Sequence, residues 1–81
     1  MNSSFESIKY PQYRRYKNRL SYFKILSPVL FEEIKVVGSK RLINSIEAKQ
    51  YPEKMFINDL LFNYTSFADE INKAAYEAER N

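Results

Sequence analysis

Cysteine, histidine and tryptophan are absent from this 81-residue chain, and glycine occurs once. Without cysteine there is neither a disulfide staple nor a thiolate metal site. Without histidine the commonest metal ligand is gone, as is the side chain that ordinarily titrates near neutrality. No D-x-D-x-D-G spacing offers a calcium loop, so no metal or other cofactor is expected. A single glycine cannot build a glycine-rich phosphate cradle. One Gly and three Pro also argue against a hairpin-rich all-β chain, which consumes many turn residues. No apolar run approaches membrane-spanning length. The first residues lack the basic and apolar regions of a secretory signal, so a cytoplasmic location is expected.

What is abundant is aromatic: seven Tyr and six Phe. Each buries on the order of 150–250 Å², and thirteen exceed what so short a chain can enclose, so some Tyr should reach the surface or an interface. Periodicity reads as helix. Ser3-Ser4-Phe5-Glu6 has the form of a capping box. Tyr13, Tyr16, Leu20 and Phe23 follow the 3-4-3 spacing of one helix face between residues 12 and 25. Ser27-Pro28 then starts a helix that Gly38 would end. Ser39 would cap another, running from Lys40 to about Gln50, and Tyr51-Pro52 opens a further one. The segment 53–64 is apolar on almost every side and should be the central helix. Thr65 or Ser66 would cap a last helix with Phe67, Ile71, Ala74, Ala75 and Ala78 inward. The expectation is one all-α domain, a compact bundle of four to five short helices. A β-hairpin over residues 34–46, turning at Gly38-Ser39, is the competing reading.

No catalytic residue emerges. The serines have no histidine to activate them, and no Ser-x-x-Lys motif is present. The acidic pairs Glu32-Glu33 and Asp69-Glu70 are adjacent in sequence and would diverge by roughly 100° on a helix. The chain is therefore expected to act by binding.

Charge is divided unevenly. Residues 1–50 carry ten Lys/Arg against four Glu, a net of +6, and residues 51–81 carry three against six acidic groups, a net of −3. An anionic partner for the basic half follows from this asymmetry. Tyr10, Tyr13, Arg14, Arg15, Lys17 and Arg19 form the densest basic and aromatic element, and Lys40-Arg41 would add side chains and free N–H groups at a helix start. Basic groups grip phosphates and Tyr rings stack on bases, so DNA or RNA is the expected partner of a basic, Tyr-rich N-terminal helix. An ordinary amphipathic helix with snorkelling basic groups explains the same residues. The alternative function is an adaptor or inhibitor that occludes a site on a larger protein, or a homodimer that hides the surplus apolar surface. The richness in Asn, Lys, Ile, Tyr and Phe fits an AT-rich virus or mobile element.

Overall fold

The structure, a computed structural model, describes residues 8–80. Four strands follow one another as an antiparallel meander: β1 (Gln12–Tyr16), β2 (Ser21–Ser27), β3 (Leu30–Val37) and β4 (Lys40–Glu47). Helix α1 (Tyr51–Phe62) then crosses the sheet, β5 (Ala68–Glu70) pairs antiparallel with β1, and α2 (Lys73–Arg80) ends the chain. The strand order is β4-β3-β2-β1-β5.

Each connection uses local turn chemistry. At the β3–β4 turn, Val37 pairs with Lys40 across a two-residue loop, and Gly38 adopts φ 61° while Ser39 keeps an ordinary negative φ. That is the type II′ pattern, whose first central position favours glycine. At the β2–β3 turn the Ser27 hydroxyl accepts the Val29 N–H at 3.1 Å. Between β1 and β2 the Arg19 N–H donates to the Tyr16 carbonyl at 2.8 Å, and the Asn18 side chain accepts the Leu20 N–H at 2.8 Å.

The register sorts side chains onto two faces, each covered by one helix. On the first face Phe23, Ile25 and Phe31 pack against Ile57, Leu60 and Leu61 of α1, with Phe56 edge-on to Phe23 at a centroid distance of 5.4 Å. On the second face Tyr13, Tyr22 and Ile34 enclose Tyr76 of α2, whose ring lies 5.3 Å from that of Tyr13. Glu32 anchors this second helix: the Tyr76 hydroxyl donates to Oε1 at 2.8 Å, and Arg80 donates through Nε and Nη2 at 3.0 and 3.2 Å. Arg80 and Tyr76 hold the Glu32 carboxyl below its ordinary range, while burial opposes them. Burial, reinforced by Glu32, pushes the Tyr76 phenol well above 10.

The all-α expectation is overturned: the molecule is mainly an antiparallel sheet of five strands with two short helices. Residues 12–25 are not a helix but β1, a turn and β2. The helices expected from Ser27-Pro28 to Gly38 and from Lys40 to Gln50 are β3 and β4, so residues 34–46 lie in the hairpin that was the competing reading. Helix does form over Tyr51–Phe62, but it lies on a sheet face with Tyr51 and Met55 exposed, not at the centre of a bundle. Its start uses Pro52 and Glu53, whose carboxylate accepts the N–H groups of Lys49 and Gln50 at 3.0 and 3.1 Å. The expected final helix, capped at Thr65 or Ser66, begins six to seven residues late, after β5. The capping box at Ser3–Glu6 lies outside the described residues.

A strand covered on both faces shows no polar–apolar alternation, so Tyr22-Phe23-Lys24-Ile25-Leu26 lacks the period of two that marks a half-solvated strand.

Because the folded Glu32 carboxyl sits below its unfolded value, its contribution to stability is present above the ordinary pKa of 4.5 and is lost as pH falls through the lower folded value. Thermal melts between pH 7 and pH 3 should therefore show a smaller acid-induced loss for Glu32→Gln than for the unmodified protein. At neutral pH the same change should cost about 1–2 kcal/mol through the weakened charged hydrogen bond from Tyr76.

Candidate nucleic-acid interface

The structure disperses the eight basic and aromatic residues expected to form one binding surface, six in or just before an N-terminal helix and Lys40-Arg41 at the start of another. Tyr13 is buried on the second face against Tyr76 and cannot stack on a base. Tyr10 packs against the α1-side core, where burial raises its phenol pKa.

Arg14 is a structural residue. It is only 4% exposed, on the first face, beneath the end of α1. Its Nε donates to the Leu60 carbonyl at 2.8 Å, and its Nη1 donates to the Tyr13 carbonyl at 2.8 Å and the Gln12 side chain at 3.3 Å. The guanidinium also lies 4.1 Å from the centre of the Tyr64 ring, a cation–π contact. Leu60 is in the last turn of α1, where carbonyls lack helical partners and the helix dipole presents negative charge. That turn contains no basic residue of its own, so Arg14 supplies the charge from β1. Burial lowers the Arg14 pKa, while Tyr64 and Glu70 raise it again. The group stays a cation throughout.

Arg15 and Lys17 share one counter-ion. Their side chains contact the two oxygens of Asp69 at 3.3 and 3.0 Å, which brings β1 and β5 together. The two cations hold the Asp69 carboxyl below its ordinary range, Lys17 contributing most. Arg41 is tied to Glu79 of α2 at 3.1 Å. Thus the acidic C-terminal half, read from sequence as a separate block, supplies the partners that neutralise part of the basic half.

Arg19 and Lys40 are different. Both are exposed, and neither has an ion-pair partner among the described residues. The meander places the β1–β2 and β3–β4 turns at the same end of the sheet, since Ser21 is opposite Lys35 and Val37 is opposite Lys40. Lys35, which sequence reasoning did not single out, is exposed at that end between them. With strands about 4.8 Å apart, Arg19, Lys35 and Lys40 occupy one edge of the sheet three strands wide. Alternation around Gly38-Ser39 would have found Lys35, because a hairpin aligns it with Leu42 beside the turn.

Arg19 also has an unusual backbone. Its φ is 64°, in the left-handed region that normally takes Gly or Asn. For a side chain such as Arg this costs on the order of 1–2 kcal/mol, and no hydrogen bond or ion pair of the Arg19 side chain offsets it among the described residues.

No enclosed pocket and no cluster of potential metal ligands occurs among the described residues. Nor is any helix among them long and apolar enough to cross a membrane.

Two substitutions separate the structural cation from the surface one. Arg14→Ala should lower the unfolding free energy by about 2–4 kcal/mol, because it strands buried carbonyls, whereas Lys40→Ala should change it by less than about 0.5 kcal/mol. Urea denaturation of both variants measures the difference.

Comparison with protein-family models, characterised proteins and solved structures gives no match to this chain.

Proposed function

We propose that this protein is a non-enzymatic nucleic-acid-binding protein whose contact surface is the hairpin end of the sheet, not a basic helix. The observation that carries the reading is Arg19: an exposed cation held in a costly left-handed conformation, with no counter-ion among the described residues. Strain of this kind concentrates at functional positions, and here it sets a guanidinium at the tip of a turn beside Lys35 and Lys40. Phosphate groups suit such a site, since guanidinium and ammonium donors bind them without needing an enclosed pocket. Asn18 and Ser39 lie in the same two turns and are exposed.

The earlier set of contacts contracts accordingly. Tyr10, Tyr13 and Arg14 are withdrawn from it, Arg15, Lys17 and Arg41 are engaged with carboxylates, and Lys35 joins Arg19 and Lys40. Three phosphate contacts imply modest affinity, in the range typical of non-specific binding, and a shallow salt dependence with a logarithmic slope of about −3 on duplex DNA.

A second reading, an adaptor or inhibitor that binds a larger protein, is favoured by Tyr51 and Met55. These lie one helical turn apart on the outer face of α1, and Tyr51 is 73% exposed. A large ring so exposed is the kind of group that anchors protein interfaces.

Fluorescence anisotropy of labelled single- and double-stranded oligonucleotides at about 50 and 200 mM salt tests the nucleic-acid reading. Binding that weakens with salt, and falls at least about tenfold in Arg19→Glu/Lys40→Glu, is expected. Absence of binding at the lower salt, or binding indifferent to both reversals, would reject it. Arg19→Gly provides a separate check: it should raise stability by about 1 kcal/mol by relieving the backbone while weakening oligonucleotide binding.

A further inference from the structure

β4 is a long, open edge. It lies at the end of the strand order, and every residue from Lys40 to Glu47 except Ile46 is exposed. Natural sheets protect such edges with proline, bulges, short strands or charges along the strand. β4 has none of the first three: it contains no proline, it is eight residues long, and its register with β3 runs unbroken from Leu30↔Glu47 to Val37↔Lys40. Its charges sit only at its ends, leaving Leu42 47% and Ile43 40% exposed at the centre. The opposite edge, β5, has only three residues.

The turn fixes which backbone groups are free. A two-residue loop makes Val37 and Lys40 a hydrogen-bonded pair, and alternation then directs the backbone groups of Lys40, Leu42, Asn44 and Ile46 toward β3. Ala48 obeys the same parity, donating its N–H to the Val29 carbonyl. The N–H and C=O groups of Arg41, Ile43, Ser45 and Glu47 therefore point outward.

We infer that β4 pairs antiparallel with β4 of a second copy of this chain, joining two five-stranded sheets into one. The strand is self-complementary in the register that sets Asn44 opposite Asn44 of the other copy. Arg41 of each copy then faces Glu47 of the other on the second face, so both chain ends meet opposite charge. Leu42 faces Ile46 on the first face, in the non-hydrogen-bonded position where side chains approach most closely. Ile43 faces Ser45, and the four outward residues of each copy are all in hydrogen-bonded positions. Shifting the register by two residues in either direction separates Arg41 from Glu47. Charge complementarity thus selects both the partner, an identical strand, and the alignment. The intramolecular contacts of these groups leave room for the pairing: Glu47 lies 4.0 Å from Lys49 with both groups largely exposed, and Arg41 engages Glu79 through Nε, so its Nη groups can meet Glu47 of the other copy while that pair is kept. The dimer does not rest on the nucleic-acid reading: Arg19 and Lys35 take no part in it, and Lys40, the first residue of β4, falls opposite Ala48 of the other copy, outside the Arg41–Glu47 pairing.

Sedimentation-velocity and light-scattering measurements across a micromolar concentration series test the pairing on the intact protein. A dimer is expected. Arg41→Glu alone and Glu47→Arg alone should each weaken dimerisation roughly 10–100-fold, and the double variant R41E/E47R should restore it. Ser45→Pro removes an outward N–H without touching the ladder to β3, so it should yield a folded monomer by circular dichroism. A protein that stays monomeric at every concentration would overturn the inference. So would a dimer indifferent to Arg41→Glu and Ser45→Pro, which would place the contact elsewhere.

Discussion

The burial of one cation ties the two layers of the first face together. Arg14 projects from β1 beneath the sheet, and its guanidinium cannot shed its proton to escape the cost of burial. It must be surrounded by acceptors, and the chain supplies them from three places: its own strand at Gln12 and Tyr13, the last turn of α1 at Leu60, and the ring of Tyr64 in the following turn. These contacts fix where α1 ends over the sheet. They also fix the loop that leads from α1 to β5, so the second edge of the sheet depends on them. A lysine could not take this place, because its three donors leave a single nitrogen and lack the planar fork that reaches carbonyls on separate elements.

Around that anchor the sheet is covered unequally. α1 crosses the first face over Phe23, Ile25 and Phe31, and α2 lies on the second over Tyr13, Tyr22 and Ile34. Apart from the Arg41–Glu79 pair, the helices leave the outer edge at β4 uncovered, and every β4 residue but Ile46 is exposed. The surface chemistry collects where coverage stops. Arg19, Lys35 and Lys40, without ion-pair partners among the described residues, lie at the end of the sheet that holds two turns, and apolar side chains remain at the centre of β4. Carboxylates are consumed within the fold instead: Asp69 holds β5 to β1, Glu79 holds α2 to β4, and Glu32 holds the end of α2 to β3. The uneven division of charge along the chain thus becomes partial neutralisation in space.

Some of this was legible from residue chemistry. Tyr51-Pro52 marked the start of a real helix, because proline tolerates the first turn; there Glu53 also accepts the N–H groups of Lys49 and Gln50 just ahead of it. Gly38-Ser39 marked a real reversal, but it was read as a helix end because glycine with positive φ serves both purposes. Ser27-Pro28 failed for a similar reason: a serine hydroxyl that accepts a nearby N–H can begin a helix or close a turn, and here it closes a turn on Val29. Spacing misled most between residues 12 and 25. Tyr13 and Tyr16 have the spacing of one helix face, yet in β1 they point to opposite sides of the sheet, each into a different core. Of the site, the basic character of the N-terminal half was legible. Which of its cations stay free was not, because that depends on carboxylates more than 30 residues away.

The sequence by itself determined the exclusions and the local punctuation: no thiol or imidazole chemistry, no glycine-rich cradle, a helix beginning at Tyr51, a turn at Gly38 and an excess of positive charge before residue 50. Only the tertiary structure decided that the remaining segments are strands and that Arg14 belongs to the interior while Arg19 belongs to the surface. The reason is that composition and turn signals act within a few residues, whereas strand pairing and the burial of both sheet faces are set by contacts between distant segments. An arginine's role follows from what surrounds it: three acceptor oxygens and the Tyr64 ring at Arg14, and no acceptor for the Arg19 side chain among the described residues.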